Sequence, residues 1–188
     1  MNIHTGIVAL ALAAMSQAVS AQTLSYEAYL GGAFDLTADG LGYNGIDYPL
    51  DNGGAIGFGV YTDQFGEIEV GVDVMATDRG YTEYGDHLQS LSLMVVGRYP
   101  IADFGVGNAY AAAGLGVINV RYDGKDAYPD ATGSAITTGG QIGLGARFQA
   151  GSGQIFTELK YQTAFDMVDI VDPDIEYNST SLIVGYRF

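Results

Sequence analysis

Ser179-Thr180-Ser181-Leu182-Ile183-Val184-Gly185-Tyr186-Arg187-Phe188 ends the chain. Side chains of an extended strand alternate between its two faces. Thr180, Leu182, Val184, Tyr186 and Phe188 therefore share one face, and Ser181, Ile183, Gly185 and Arg187 the other. The first face suits an apolar solvent and the second a small polar interior.

The same alternation recurs upstream, punctuated by turn residues. Leu24 to Phe34 sets Tyr26, Ala28, Leu30 and Phe34 against Ser25, Glu27 and Tyr29. Ala55 to Thr62 sets Ile56, Phe58 and Val60 against Gly57, Gly59 and Tyr61. Glu67 to Ala76 is the clearest, with Ile68, Val70, Val72 and Val74 opposite Glu67, Glu69, Gly71 and Asp73. Further strands are expected at Leu88 to Tyr99, Ala109 to Tyr122, Thr138 to Phe148 and Gln154 to Tyr161, before the C-terminal run. Links after the second and sixth strands, Asp63 to Gly66 and Gln149 to Gly153, are short and carry turn chemistry. Pro100 to Asn108 is somewhat longer. Links after the first, third, fifth and seventh strands are long and polar, above all Asp35 to Gly54 and Ala164 to Asn178.

At the front, Ile7 to Ala14 is almost wholly apolar, and Val19-Ser20-Ala21 supplies small residues before Gln22. Residues 1–21 read as a secretory signal peptide, although the start carries no Lys or Arg. The apolar stretch is shorter than the roughly 20 residues of a spanning helix, and no other segment is long enough. In hydrocarbon the remaining solution is a closed barrel, because every backbone polar group must be paired. The expected fold is all-β: an eight-stranded antiparallel up-and-down transmembrane β-barrel over 22–188, with tight turns and both termini at one end.

Composition agrees with a barrel. Cysteine is absent, so there is no disulfide framework or thiolate site. Glycine (28) and tyrosine (14) are abundant, and tryptophan is missing. The formal net charge is −15, with Asp35, Asp39, Asp47 and Asp51 in the first long link and Asp166, Asp169, Asp172, Asp174 and Glu176 in the last. That balance excludes nucleic acid as a partner. Lipid-facing positions between the strand ends hold no charge, as a cost of roughly 2–4 kcal/mol for a midplane Lys or Arg requires. Aromatics are expected in two girdles: Tyr99, Phe104, Phe148, Tyr186 and Phe188 at the turn end, and Phe34, Tyr81, Tyr84, Tyr122 and Phe165 at the loop end.

Candidate chemistry lies on the inward faces. Glu67, Glu69, Arg98, Arg147, Glu158, Lys160 and Arg187 are expected inside, where isolated charges are expensive and must pair. Arg98, Arg147 and Arg187 should meet Glu67, Glu69 and Glu158. Such a network either fills a narrow interior or gates a water path through it. His87 stands at the rim of the fourth strand, with Ser90 and Ser92 nearby. Asp172, Asp174 and Glu176 alternate as three carboxylates would around Ca²⁺, but without the glycine turn of an EF-hand loop; a solvated acidic loop explains them. No catalytic, metal or cofactor site is expected.

Tyr110-Ala111-Ala112-Ala113-Gly114-Leu115-Gly116-Val117, followed by Arg121-Tyr122-Asp123-Gly124, resembles the fifth strand of the OmpA-type and opacity-porin-like outer-membrane barrels, and Gly185-Tyr186-Arg187-Phe188 resembles their closing strand. The likeness is architectural and spans 22–188. It implies a Gram-negative outer-membrane location, periplasmic termini, and lipid and lipopolysaccharide as surroundings. Tyr186 and Phe188 would be the signal read by the barrel-assembly machinery. It also implies a non-enzymatic structural or surface-interaction role, with external loops that meet an unidentified ligand. A narrow pore for water, ions or small solutes is the alternative. A lipid A-modifying enzyme is a further one, although His87-Leu88-Gln89-Ser90 departs from the His-x-Ser arrangement of the lipid A deacylases.

Overall fold

The computed structural model describes residues 24–34, 52–65, 67–80, 87–123, 132–166, 168 and 177–188. They form eight strands: β1 (Leu24–Phe34), β2 (Gly53–Phe65), β3 (Ile68–Gly80), β4 (His87–Asp103), β5 (Gly107–Asp123), β6 (Thr132–Ala150), β7 (Gly153–Ala164) and β8 (Asn178–Arg187). Each strand pairs antiparallel with the next, and β1 pairs with β8, so the sheet closes into a barrel. At the seam Glu27 lies opposite Arg187 and Phe34 opposite Thr180, and the Phe188 amide donates to the Tyr26 carbonyl at 2.9 Å. Closure leaves no sheet edge with unpaired amides, which a membrane interior demands.

Most strands outrun their sequence signal, β4 and β6 for identifiable reasons. Pro100 marks the end of the apolar alternation in the fourth strand, yet β4 continues to Asp103. The ladder keeps Pro100 opposite Tyr110 and then shifts register before Ala102, placing the residue that lacks an amide donor beside a bulge. β6 begins at Thr132 rather than near Thr138, because Thr132 to Thr137, a polar and small-residue stretch, still pairs with Asp123 to Ile118. Tight connections follow β4 and β6, with Gly105 (φ 80°) and Gly151 (φ 65°) taking the left-handed backbone of each turn. These turns, with Leu24 and Phe188, define the turn end. Residues 1–21 and the links 35–51, 81–86, 124–131 and 169–176 lie outside the described residues.

Burial is inverted relative to a soluble protein. Leu30 (68%), Leu115 (64%) and Ile142 (62%) are exposed, whereas Arg98, Lys160 and Glu158 are buried at 1%. Register arranges the outer wall in rows across β2 to β5: Val60–Val72–Val95–Leu115, then Phe58–Val74–Leu93–Val117, then Ile56–Ala76–Leu91–Asn119 toward the loop end. On β3 the apolar wall runs from Ile68 to Ala76. At about 3.3 Å per residue and a strand tilt near 40° that is ~20 Å of height, most of the roughly 25 Å band of a membrane barrel.

Glycine lets this narrow interior hold aromatic rings. Gly57 lies opposite Tyr29 in the β1–β2 ladder, and a Cβ there would stand 2.3 Å from Tyr29 Cζ. Gly145 is matched to Tyr110 in the same way. At the loop end Leu88, Val120, Tyr122, Val168 and Tyr177 are buried together. Tyr122 thus points inward rather than joining the outer girdle, because it shares parity with Tyr110 and Val120. Phe165 is exposed, and Tyr81 and Tyr84 lie outside the described residues. At the turn end Phe104 stacks on Phe148 with centroids 5.8 Å apart, and Tyr186 meets Phe188 edge-on at 5.0 Å.

Candidate functional site

The barrel interior carries the chain's chemistry, and strand parity builds it. Every strand sends one side chain toward a common level in the turn-end half: Glu27, Tyr61, Glu69, Arg98, Tyr110, Arg147, Glu158 and Arg187. Arg98 is the centre. Its Nη1 donates to both carboxylate oxygens of Glu27 at 2.7 and 2.8 Å, and its Nη2 donates to Glu158 Oε2 at 3.0 Å. The guanidinium lies 3.9 Å from the centroid of the Tyr61 ring and 4.9 Å from that of Tyr110, a planar cation between π faces. Tyr110 donates its hydroxyl to Glu158 Oε2 at 2.8 Å.

Nearer the turn end, Arg147 grips Glu69 with two bonds of 2.6 and 2.7 Å, the bidentate geometry that guanidinium and carboxylate share. Arg187 also reaches Glu69 at 3.0 Å and donates to Ser25 Oγ at 2.8 Å. It stands 3.6 Å from Glu27, which links the two groups. Toward the loop end, Lys160 pairs with Asp73, which also accepts the Tyr29 hydroxyl at 2.6 Å, and Lys160 Nζ lies 3.9 Å from Glu158 Oε1. The cluster balances: Glu27, Glu69, Asp73 and Glu158 face Arg98, Arg147, Lys160 and Arg187. The chain's negative excess therefore resides outside this interior.

Of the residues expected here, Glu69, Arg98, Arg147, Glu158, Lys160 and Arg187 are brought together. Glu67 is not. The β2–β3 ladder shifts register between Thr62 and Phe65, β3 begins at Ile68, and Glu67 sits exposed in the turn, where it accepts the Tyr99 hydroxyl at 3.2 Å. The carboxylates that take its place are Glu27 and Asp73. Both stand on inward faces in the alternation, which was the signal for enlisting them. Asp73 in particular is the acid that Lys160 hydrogen-bonds, with Glu158 farther off at 3.9 Å.

Among the described residues the loop-side half of the interior is uncharged apart from Arg79, whose Nη2 donates to the Asn178 carbonyl at 2.8 Å. Ser90 shares 2.7 Å hydrogen bonds with Thr77 and Tyr177, and Gln162 bridges Ser92 and Gln141 at 3.0 and 2.9 Å. His87 does not join them. Odd and even positions of β4 face opposite ways, so Ser90 and Ser92 point inward while His87 lies on the outer wall, its Nδ1 3.0 Å from Asp78 Oδ1. The pairing that a serine hydrolase needs is absent there. Asp172, Asp174 and Glu176 lie outside the described residues, and among those described no group of three metal-ligating side chains occurs.

The fold, rather than the interior network, is similar to solved structures. Neisserial surface protein A superposes with a TM-score of 0.59 at 11% identity, covering 87% of this chain and 94% of that one. The N-terminal barrel domain of Pseudomonas aeruginosa OprF gives 0.49 at 17%, covering 90% and 100%. Ail of Yersinia pestis, solved with the heparin analogue sucrose octasulfate, gives 0.49 at 16%, covering 88% and 97%. No curated protein sequence matches the chain. A family model described as the outer membrane protein beta-barrel domain matches residues 7–188. With its closed eight-stranded sheet and apolar outer wall, the chain belongs to the outer membrane protein beta-barrel domain family, and its place is the outer membrane.

Proposed function

We propose that this protein is a plugged, non-enzymatic barrel that holds external loops at the cell surface and conducts nothing through its centre. The observation that carries this reading is the ion-paired layer itself. Every strand contributes to it, the charges cancel, and Arg98, Glu27 and Glu158 are 1% exposed or less. A water path needs hydrated groups along it; here the charged groups are ion-paired with one another, and the buried atoms of the layer left without a hydrogen bond are single ones, Glu158 Oε1, Arg98 Nε, Arg147 Nε and the Tyr61 hydroxyl. The turn end and both termini face the periplasm, in keeping with the short-turn, long-loop parity. Residues 1–21 are removed on export. The acidic links meet lipopolysaccharide and a surface ligand, and Tyr186 with Phe188 is presented to the assembly machinery.

A narrow pore is the second reading, favoured by the position of Lys160 between Asp73 and Glu158. Planar-bilayer recording separates the two. The plugged barrel gives no single-channel steps. Steady steps that change in Glu158→Gln would establish the pore and end the first reading.

A further inference from the structure

The outer wall has one feature that a simple lipid-facing surface lacks. A hollow of about 520 Å³ opens near the loop end across β2 to β5. Its rim is one register row, Gly54–Asp78–Gln89–Arg121, and its floor the next, Ile56–Ala76–Leu91–Asn119. Missing and small side chains create it: Gly54 and Ala76 stand where the next row toward mid-membrane on each strand carries Ile56 and Val74. Below the floor the next two rows are wholly apolar. The hollow is therefore amphipathic along the barrel axis, polar toward the loops and apolar toward mid-membrane, the same polarity as a lipid in the leaflet on that side.

We propose that this hollow seats one phosphate-bearing membrane lipid, its head on Arg121 and Gln89 and the start of its chains over Ile56, Ala76 and Leu91. Arg121 is the one cation that lines the hollow, and the one carboxylate there, Asp78, is turned to other partners. Asp78 is engaged by His87 Nδ1 at 3.0 Å and by Gln89 Nε2 at 3.3 Å. Arg121 is exposed, and among the described residues no carboxylate pairs with it. A guanidinium at the edge of the apolar band, with no described carboxylate paired to it, is a fork for phosphate oxygens. The inference rests on the outer-membrane reading of the wall but not on whether the lumen conducts.

The test uses the mature protein in mild detergent, titrated with dioleoyl phosphatidylglycerol and followed by native mass spectrometry. Dioleoylglycerol supplies the chains without phosphate, and inorganic phosphate the anion without chains. Expected is a one-to-one phosphatidylglycerol adduct, about tenfold tighter than dioleoylglycerol, as one charge-assisted contact gives, and not displaced by millimolar phosphate. A Cβ at Gly54 meets nothing within 4 Å, so a side chain can start there; Gly54→Phe should occupy the hollow and abolish the adduct, with heat-modifiable gel migration showing that the variant barrel still closes. Arg121→Gln should remove the preference over dioleoylglycerol. Equal adducts in wild type and Gly54→Phe, no adduct in wild type, or displacement by inorganic phosphate would each overturn the seat. Heat-modifiable gel migration and a need for detergent, recorded on the same samples, show whether such a failure belongs to the seat or to the membrane assignment.

Discussion

Arg98 on β4 and Glu27 on β1 meet across the lumen, two oxygens at 2.7 and 2.8 Å from a single guanidinium nitrogen, although β2 and β3 separate their strands in the sheet. The pair is a strut through the interior rather than a contact along the wall. Removing one member leaves the other charge buried. Arg98→Met is therefore expected to destabilise the barrel by about 3–5 kcal/mol, read as a lower urea midpoint in lipid vesicles. Arg98→Met with Glu27→Gln should cost clearly less than the two single changes added together, because the two residues share one interaction. Additive losses would mean that the strut is not coupled.

Gly57 and Tyr29 test the packing of rings against bare backbone. With a Cβ 2.3 Å from Tyr29 Cζ, Gly57→Ala must push the ring from its place beside Asp73, at a cost of about 1–3 kcal/mol for an overpacked core. Gly54→Ala meets open space and should stay within about 0.5 kcal/mol of wild type. Unfolding curves of the two variants side by side decide the matter, and equal stability would refute it.

The outer wall makes a depth-dependent prediction. Val72 stands in the middle row, between Val60 and Val95, and Val72→Arg should cost about 2–4 kcal/mol. Ala76→Arg lies at the loop-side edge, beside the polar row, and should cost at most about 1 kcal/mol. A soluble protein would show no such gradient, so equal penalties in vesicle-based unfolding would count against hydrocarbon as the solvent of this face.

Much of this architecture was legible because a membrane barrel turns the period of two into a chemical code that survives on each strand separately. Val70, Val72 and Val74 against Glu69, Gly71 and Asp73 read without ambiguity. Where the alternation weakened, so did the reading. Pro100 hid the last residues of β4, and the polar start of β6 looked like loop. The interior was legible in kind but not in pairing. Parity places Glu27 and Asp73 inside, yet only the closed register shows that Arg98 reaches across to β1 and Lys160 to β3, since partners are set by strand tilt and barrel closure. His87 and Ser90, three positions apart, look adjacent in the chain and lie on opposite sides of the wall. The hollow beside Arg121 was invisible, because it arises where small side chains of neighbouring strands fall in adjoining rows, which only the register shows.

Glu67 and Glu69 differ by one strand step and share parity, so alternation alone treats them as equals. The register shift after Thr62 separates them. Glu69 is held by Arg147 at 2.6 and 2.7 Å and by Arg187 at 3.0 Å, while Glu67 is exposed and, among the described residues, meets the Tyr99 hydroxyl at 3.2 Å. Glu69→Gln keeps the shape of the side chain but removes the charge that two guanidinium groups share. The expected loss is about 1–3 kcal/mol, the cost of leaving polar groups poorly matched in a part-buried site. Glu67→Gln changes a surface position and should fall within about 0.5 kcal/mol of wild type. Urea titration of both variants in the same vesicles reads the difference. If Glu67→Gln proved the more damaging, β3 would have to begin one turn residue earlier, with Glu67 inside the barrel and the ladder to β2 redrawn.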